Sequence, residues 1–165
     1  MSRVQLALNV DDLNESVAFY SKLFGTEPAK LKPGYANFAI AEPPLKLILM
    51  EKPGQGGSLN HLGVEVADTD AVDAEQVRLA DSGLASIDER DTTCCYAKQD
   101  KFWVKDAPNG ERWEIYAVKG DSPTFWGADA GQSWDAVEAQ LDTTMSGQAS
   151  ACCGGEDEQA GMCCG

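Results

Sequence analysis

The amino-acid sequence predicts an α+β fold built from two βαβββ modules, and three observations carry that expectation. Residues 4–10 (VQLALNV) and 60–66 (NHLGVEV) alternate in step: Leu6, Leu8 and Val10 match Leu62, Val64 and Val66, while Gln5, Ala7 and Asn9 match His61, Gly63 and Glu65. Each stretch leads into a segment of helical periodicity, followed by further alternating runs between turn residues. Beyond Gly120 the periodicity stops.

In order, residues 4–10 form a strand with one apolar face and one small or polar face, because successive side chains point to opposite sides. NESVAFYSKLFG is a helix starting near Asn14, a capping residue type, and stopping at Gly25, which tolerates the left-handed conformation of a helix end. YANFAIA and LKLILM are strands around the turn Glu42-Pro43-Pro44. The second copy opens on residues 60–66 and runs into a helix from near Asp70 to Gly83. A segment at residues 86–97, the strand KFWVKD, the turn Pro108-Asn109-Gly110 and the strand RWEIYAV complete it. Each copy is therefore β-α-β-β with room for one further strand. The domain is expected to span residues 1–120, in modules of about 3–51 and 59–119. Residues 121–165 are expected to be an acidic tail carrying cysteine pairs, partly disordered, with one helix from Ser133.

The formal charge is −14, and eight Asp and Glu with no Lys or Arg follow Gly120, which leaves −6 on residues 1–120. A net-acidic surface argues against nucleic acid or anionic membrane as a partner. The chain opens without an apolar leader segment, and no apolar run nears the ~20 residues that a spanning helix needs. A cytoplasmic protein with reduced thiols is expected. Monomer and homodimer are both open.

Gln5 and His61, the only histidine, occupy matching positions on the non-apolar faces of their strands. Glu114 shares a face with Arg112 and Tyr116, opposite Trp113 and Ile115. A strand histidine is more often a hydrogen-bonded filler than a ligand, and a Glu beside a Trp is usually solvated. What singles these residues out is that Gln5 and His61 coincide in a repeat found without reference to metal. The two modules, and the opening LNVDDLNESVAFYSKLFG, resemble the vicinal oxygen chelate superfamily over about residues 3–118. That resemblance implies a cupped mixed sheet with a metal inside, liganded from the first and last strands of each module. Gln5, His61 and Glu114 fall on three of those positions. The fourth falls in LKLILM, where Leu47, Ile48 and Leu49 offer no ligand. Three donors with open positions suit a non-haem Fe(II) oxygenase, and the missing second carboxylate counts against glyoxalase chemistry. The Gln5 amide is a departure, since the usual iron triad has two histidines.

All six cysteines come in adjacent pairs: Cys94-Cys95, Cys152-Cys153 and Cys163-Cys164. DTTCCYA and GYANFAIAEPPLKLIL are similar to the organoarsenical carbon–arsenic lyases, a subfamily also known as cadmium-induced proteins. The resemblance implies Fe(II)- and O2-dependent cleavage of the C–As bond of a small trivalent methyl or aromatic arsenical, with release of arsenite. The chemistry agrees. Trivalent arsenic is soft and seeks thiolates, and R–As(OH)2 has two hydroxyls for two thiols to displace while the carbon stays. Adjacent strand residues point to opposite faces, so Cys94 and Cys95 converge only on a loop or bulge, which could also close over the cup. Tyr96, Lys98 and Lys101 flank it as accessory candidates for orienting substrate. The tail pairs either capture arsenic and pass it to Cys94-Cys95, or scavenge soft metal, or are dispensable. Other readings stay open: two small core residues, a vicinal disulfide, a thiol buffer of cadmium or arsenite, or another chelate-superfamily enzyme such as a glyoxalase or extradiol dioxygenase.

Overall fold

The structure, a computed structural model, describes residues 2–105 and 107–127. In chain order the elements are β1 (Arg3–Val10), α1 (Leu13–Phe24), β2 (Lys30–Lys32), β3 (Tyr35–Ile40), β4 (Leu45–Glu51), β5 (Leu59–Glu65), α2 (Thr69–Asp81), β6 (Ser86–Cys94), β7 (Ala97–Val104) and β8 (Trp113–Asp121). The strands make one curled mixed sheet in the order β2-β3-β4-β1-β5-β8-β7-β6. Each module places its last strand parallel to its first, β4 beside β1 and β8 beside β5, and the two modules join along the antiparallel β1/β5 pair. The α+β expectation of two βαβββ units is met, and the strand for which the sequence left room is β2 in the first copy and β6 in the second.

The helices differ from expectation at their starts. Asp12, not Asn14, caps α1: its backbone is extended and its carboxylate accepts from the Glu15 amide. Asp68 does the same for α2 through the Ala71 amide. Aspartate is as good a cap as asparagine, so residue type alone could not choose between neighbours. Gly25 ends α1 with φ 62° as expected.

The apolar faces of the strands turn toward the helices. Val10, Leu13, Ala36, Phe38, Ile40, Leu47 and Leu49 form one core under α1. Val72, Leu79, Phe102, Ile115 and Ala117 form a second under α2. The opposite face of the sheet, which carries Gln5, Asn37, Lys46 and Glu114, lines the cup. Among the described residues, no helix is long and apolar enough to cross a membrane. The helix expected from Ser133 and the pairs Cys152-Cys153 and Cys163-Cys164 lie outside the described residues.

Candidate metal and thiol site

The β1/β5 register builds the first half of the site. Gln5 stands opposite Gly63, and Ala7 stands opposite His61. Each polar residue of one strand thus faces a small residue of the other, which is what the repeat looks like once folded about its own two-fold. Gly63 also pairs with Glu114 on β8. A Cβ on Gly63 would lie 3.0 Å from Glu114 Cγ and 3.3 Å from Gln5 Nε2. The missing side chain is the space into which Gln5 and Glu114 lean.

Gln5, His61 and Glu114 meet there, at 1%, 2% and 4% exposure. Gln5 Nε2 lies 2.9 Å from His61 Nε2 and 2.6 Å from Glu114 Oε1, and His61 Nε2 lies 3.4 Å from Glu114 Oε1. The amide thus sends its two hydrogens to an imidazole lone pair and a carboxylate oxygen, the interactions a cation would make. An imidazole nitrogen, a carboxylate oxygen and, after rotation of the amide, a carbonyl oxygen are a donor set that suits a first-row divalent metal. These residues fit one.

A chain of hydrogen bonds sets the imidazole. Ser58 Oγ donates to the Gln55 carbonyl, Asn9 Nδ2 to Ser58 Oγ, and Asn60 Nδ2 to Asn9 Oδ1. Asn60 Oδ1 is left to accept from His61 Nδ1 at 2.7 Å. The ring proton is held at Nδ1 and the Nε2 lone pair points inward, a common way to orient a ligating histidine. On the other side Lys101, 2% exposed, reaches Glu114 Oε2 at 3.1 Å and leaves Oε1 for the centre. Burial would raise the Glu114 carboxyl; the Lys101 ammonium overcomes it and holds it well below the usual range.

Cys94 and Cys95 converge because the chain turns between them. Cys95 and Tyr96 have φ of 58° and 60°, and they form the two-residue turn joining β6 to β7, with Cys94 paired to Ala97. Two successive left-handed residues mark the mirror-image hairpin turn, normally the province of Asn-Gly. A Cys-Tyr turn is a strained choice of residues, and its result is Sγ–Sγ of 3.0 Å between two free, buried thiols. Cys95 donating to Cys94 lowers the Cys94 thiol, and Lys101 helps against burial. The same hydrogen bond, with burial, raises Cys95. The pair therefore loses its first proton from Cys94.

A cavity of about 270 Å³ is lined by Cys94, Cys95, Gln5 and Glu114, together with Tyr35, Asn37, Lys46, Glu65 and Gln99. His61 is not among the residues lining this cavity; it lies edge-on to Trp103. Gln99 Oε1 is buried with no hydrogen-bond partner. Tyr96 packs its ring on Tyr35 and Phe125, and Lys30 Nζ donates to its carbonyl at 2.9 Å. Lys98 is half exposed and reaches Asp91, away from the cavity wall.

Sequence reasoning missed Lys46. It stands next to Gln5 in the register, buried, with Nζ 3.1 Å from Glu65 Oε2 and 4.8 Å from the Tyr116 ring centre. The fourth position itself, opposite Ala7 as Glu114 is opposite Gly63, is Ile48, which offers no ligand, as expected. Strand parity in LKLILM puts Lys46, Ile48 and Met50 on the cup face, and that signal was available. Arg3, Glu65 and Tyr116 form the rest of this polar wall.

Comparison with known proteins follows the same lines. Residues 3–115 match the Glyoxalase/Bleomycin resistance protein/Dioxygenase superfamily. The chain is 62% identical over 130 residues to a "Trivalent organoarsenical cleaving enzyme" of Thermomonospora curvata, covering 78% of this chain and 85% of that one. It is 56% identical over 156 residues to "Cadmium-induced protein CadI" of Mycobacterium tuberculosis, covering 94% and 95%. Among solved structures, a homoprotocatechuate 2,3-dioxygenase variant from B. fuscum superposes with a TM-score of 0.52 at 19% identity, over 73% of this chain and 33% of that one. The last likeness is one of fold.

Proposed function

Because this chain belongs to the glyoxalase/bleomycin resistance protein/dioxygenase superfamily, we propose that it is an enzyme that cleaves the carbon–arsenic bond of trivalent organoarsenicals and releases arsenite. In this reading Gln5, His61 and Glu114 hold Fe(II), O2 is the co-substrate, and Cys94 and Cys95 hold the arsenical. The observation that carries it is the single cavity walled by both the thiol pair and two of the three donors. The Thermomonospora curvata relative bears the name of this activity.

The chain's own residues account for capture and orientation. Cys94, deprotonated first, attacks R–As(OH)2 and displaces one hydroxide, which leaves as water with a proton from solvent. Cys95 forms the second As–S bond as its own proton leaves with the second hydroxyl, again as water. Two thiols and one dihydroxide thus give a cyclic dithioarsenite and two waters, with the carbon as the sole remaining substituent. The turn at Cys95-Tyr96 fixes the sulfurs, so the C–As bond takes one direction into the cavity; holding reactants in such geometry removes much of the entropic barrier. Bound Fe(II) would supply activation of O2 beside that bond. Lys101 keeps Glu114 ionised and favours the Cys94 thiolate.

Purified protein with Fe(II), a thiol reductant and trivalent methylarsenic in air is expected to release arsenite. No release, or release that survives His61→Ala, rejects the proposal. A thiol buffer for cadmium or arsenite is separated by Glu114→Gln, which would leave such a buffer intact and abolish release by the enzyme.

A further inference from the structure

Gln5 can act as a ligand only through Oε1, yet in the structure that atom faces away from His61 and Glu114. It faces the hydroxyl of Tyr116, at 2.5 Å. The same hydroxyl lies 3.0 Å from Glu65 Oε2. Glu65 is engaged by Arg3 at 3.0 Å and Lys46 at 3.1 Å, so it is a carboxylate that can only accept. Tyr116 therefore stands between two acceptors with one hydrogen to give. One of the two contacts must be made without a proton between the oxygens.

Turning the Gln5 amide end for end removes the conflict. Nε2 then donates to the Tyr116 oxygen, the Tyr116 hydroxyl donates to Glu65, and every group from Arg3 and Lys46 through Glu65 and Tyr116 to Gln5 has the partner it needs. Oε1 then points at His61 Nε2 and Glu114 Oε1, where it is tolerable only if a cation lies among the three. From these contacts we infer that Tyr116 and Glu65 are positioning residues that select the metal-coordinating orientation of Gln5. Without metal the amide serves His61 and Glu114 at the expense of Tyr116; with metal it serves both sides. A neutral amide is a weak donor, and this chain of fixed polarity is what makes Gln5 a dependable one. The inference rests on the reading of Gln5, His61 and Glu114 as a metal site.

The test uses the full chain and Co(II) alone, titrated anaerobically and followed by visible absorption. Supporting partners of metal ligands typically contribute 10–100-fold to affinity, and Tyr116→Phe is expected to weaken Co(II) binding within that range. Glu65→Gln keeps the size but adds a donor, so Tyr116 can give its hydrogen to Gln5 Oε1 and hold the wrong end inward. It is expected to weaken binding as well, and to add nothing in a Tyr116→Phe background, since both act through one amide. The side-chain 15N and NH2 resonances of Gln5 are expected to shift on titration with diamagnetic Zn(II) in the wild type far more than in either variant. A merely structural role for Tyr116 would lower the melting temperature without this signature. Wild-type Co(II) affinity in both variants, or losses that add, overturns the inference alone if Gln5→Ala weakens binding. If Gln5→Ala and His61→Ala both leave Co(II) binding unchanged, the metal-site reading fails and takes the inference with it. Should Tyr116→Phe not fold, Glu65→Gln decides by the same measurements.

Discussion

Gln5 Nε2 and Glu114 Oε1 approach to 2.6 Å across a residue that has no side chain, Gly63, which pairs with both of their strands. The two donors come from opposite ends of the domain sequence, and the sheet register alone brings them together. Several expectations follow from that arrangement and from the turn that faces it.

Gly63→Ala puts a methyl 3.0 Å from Glu114 Cγ and 3.3 Å from Gln5 Nε2. Overpacking of this kind costs about 1–3 kcal/mol. Chemical denaturation is expected to show a loss in that range, and metal titration a larger relative loss, because the donors are what must move.

Cys94→Ser and Cys95→Ser each turn a two-point clamp into a single attachment. Linking two binding events is worth roughly 10²–10⁴-fold. Either variant is expected to bind trivalent phenylarsenic weaker by about that factor, measured by competition with a small dithiol. Divalent metal affinity is expected to stay unchanged.

Asn60 holds the His61 proton at Nδ1. Asn60→Leu removes the acceptor, lets the proton sit on Nε2, and is expected to weaken Co(II) binding by about 10–100-fold in anaerobic titration. Asn60→Asp, which still accepts from Nδ1, is expected to retain most of the affinity.

Asp100 is the acid-sensitive tie beneath the thiol hairpin. It accepts from the Asp91 amide, the Thr69 hydroxyl and Lys119, and these bonds lower its carboxyl to about 2. A depressed folded-state value means stability that is complete above the unfolded carboxyl range and is lost as pH falls from about 4 toward 2. Urea unfolding is expected to show wild type more stable than Asp100→Asn at pH 7, with the gap closing below pH 4.

Much of this was legible in the residues themselves. The alternation of VQLALNV and NHLGVEV assigned the faces of β1 and β5, and so put Gln5 and His61 at matching positions on the face that lines the cup. The requirement that Cys94 and Cys95 leave regular strand geometry to converge anticipated a turn. Its type was not legible, because Cys-Tyr carries none of the usual hairpin signal and the left-handed conformation is imposed by the β6/β7 pairing around it. Strand parity could have put Lys46 on the cup face, but how Arg3, Lys46, Glu65 and Tyr116 meet one another was out of reach for another reason. Their contacts depend on which strands lie adjacent and in what register, and nothing local in LKLILM says that Lys46 will stand beside Gln5. The cap at Asp12 escaped because several neighbouring residues could serve equally well.

The most direct test is arsenic K-edge X-ray absorption on the full chain loaded anaerobically with Fe(II) and trivalent phenylarsenic. Two sulfurs and one carbon around arsenic, with an iron scatterer in the next shell that vanishes in His61→Ala, is the expected result. Arsenic bound by three sulfurs, or by Cys94 and Cys95 with no iron nearby, would contradict the account.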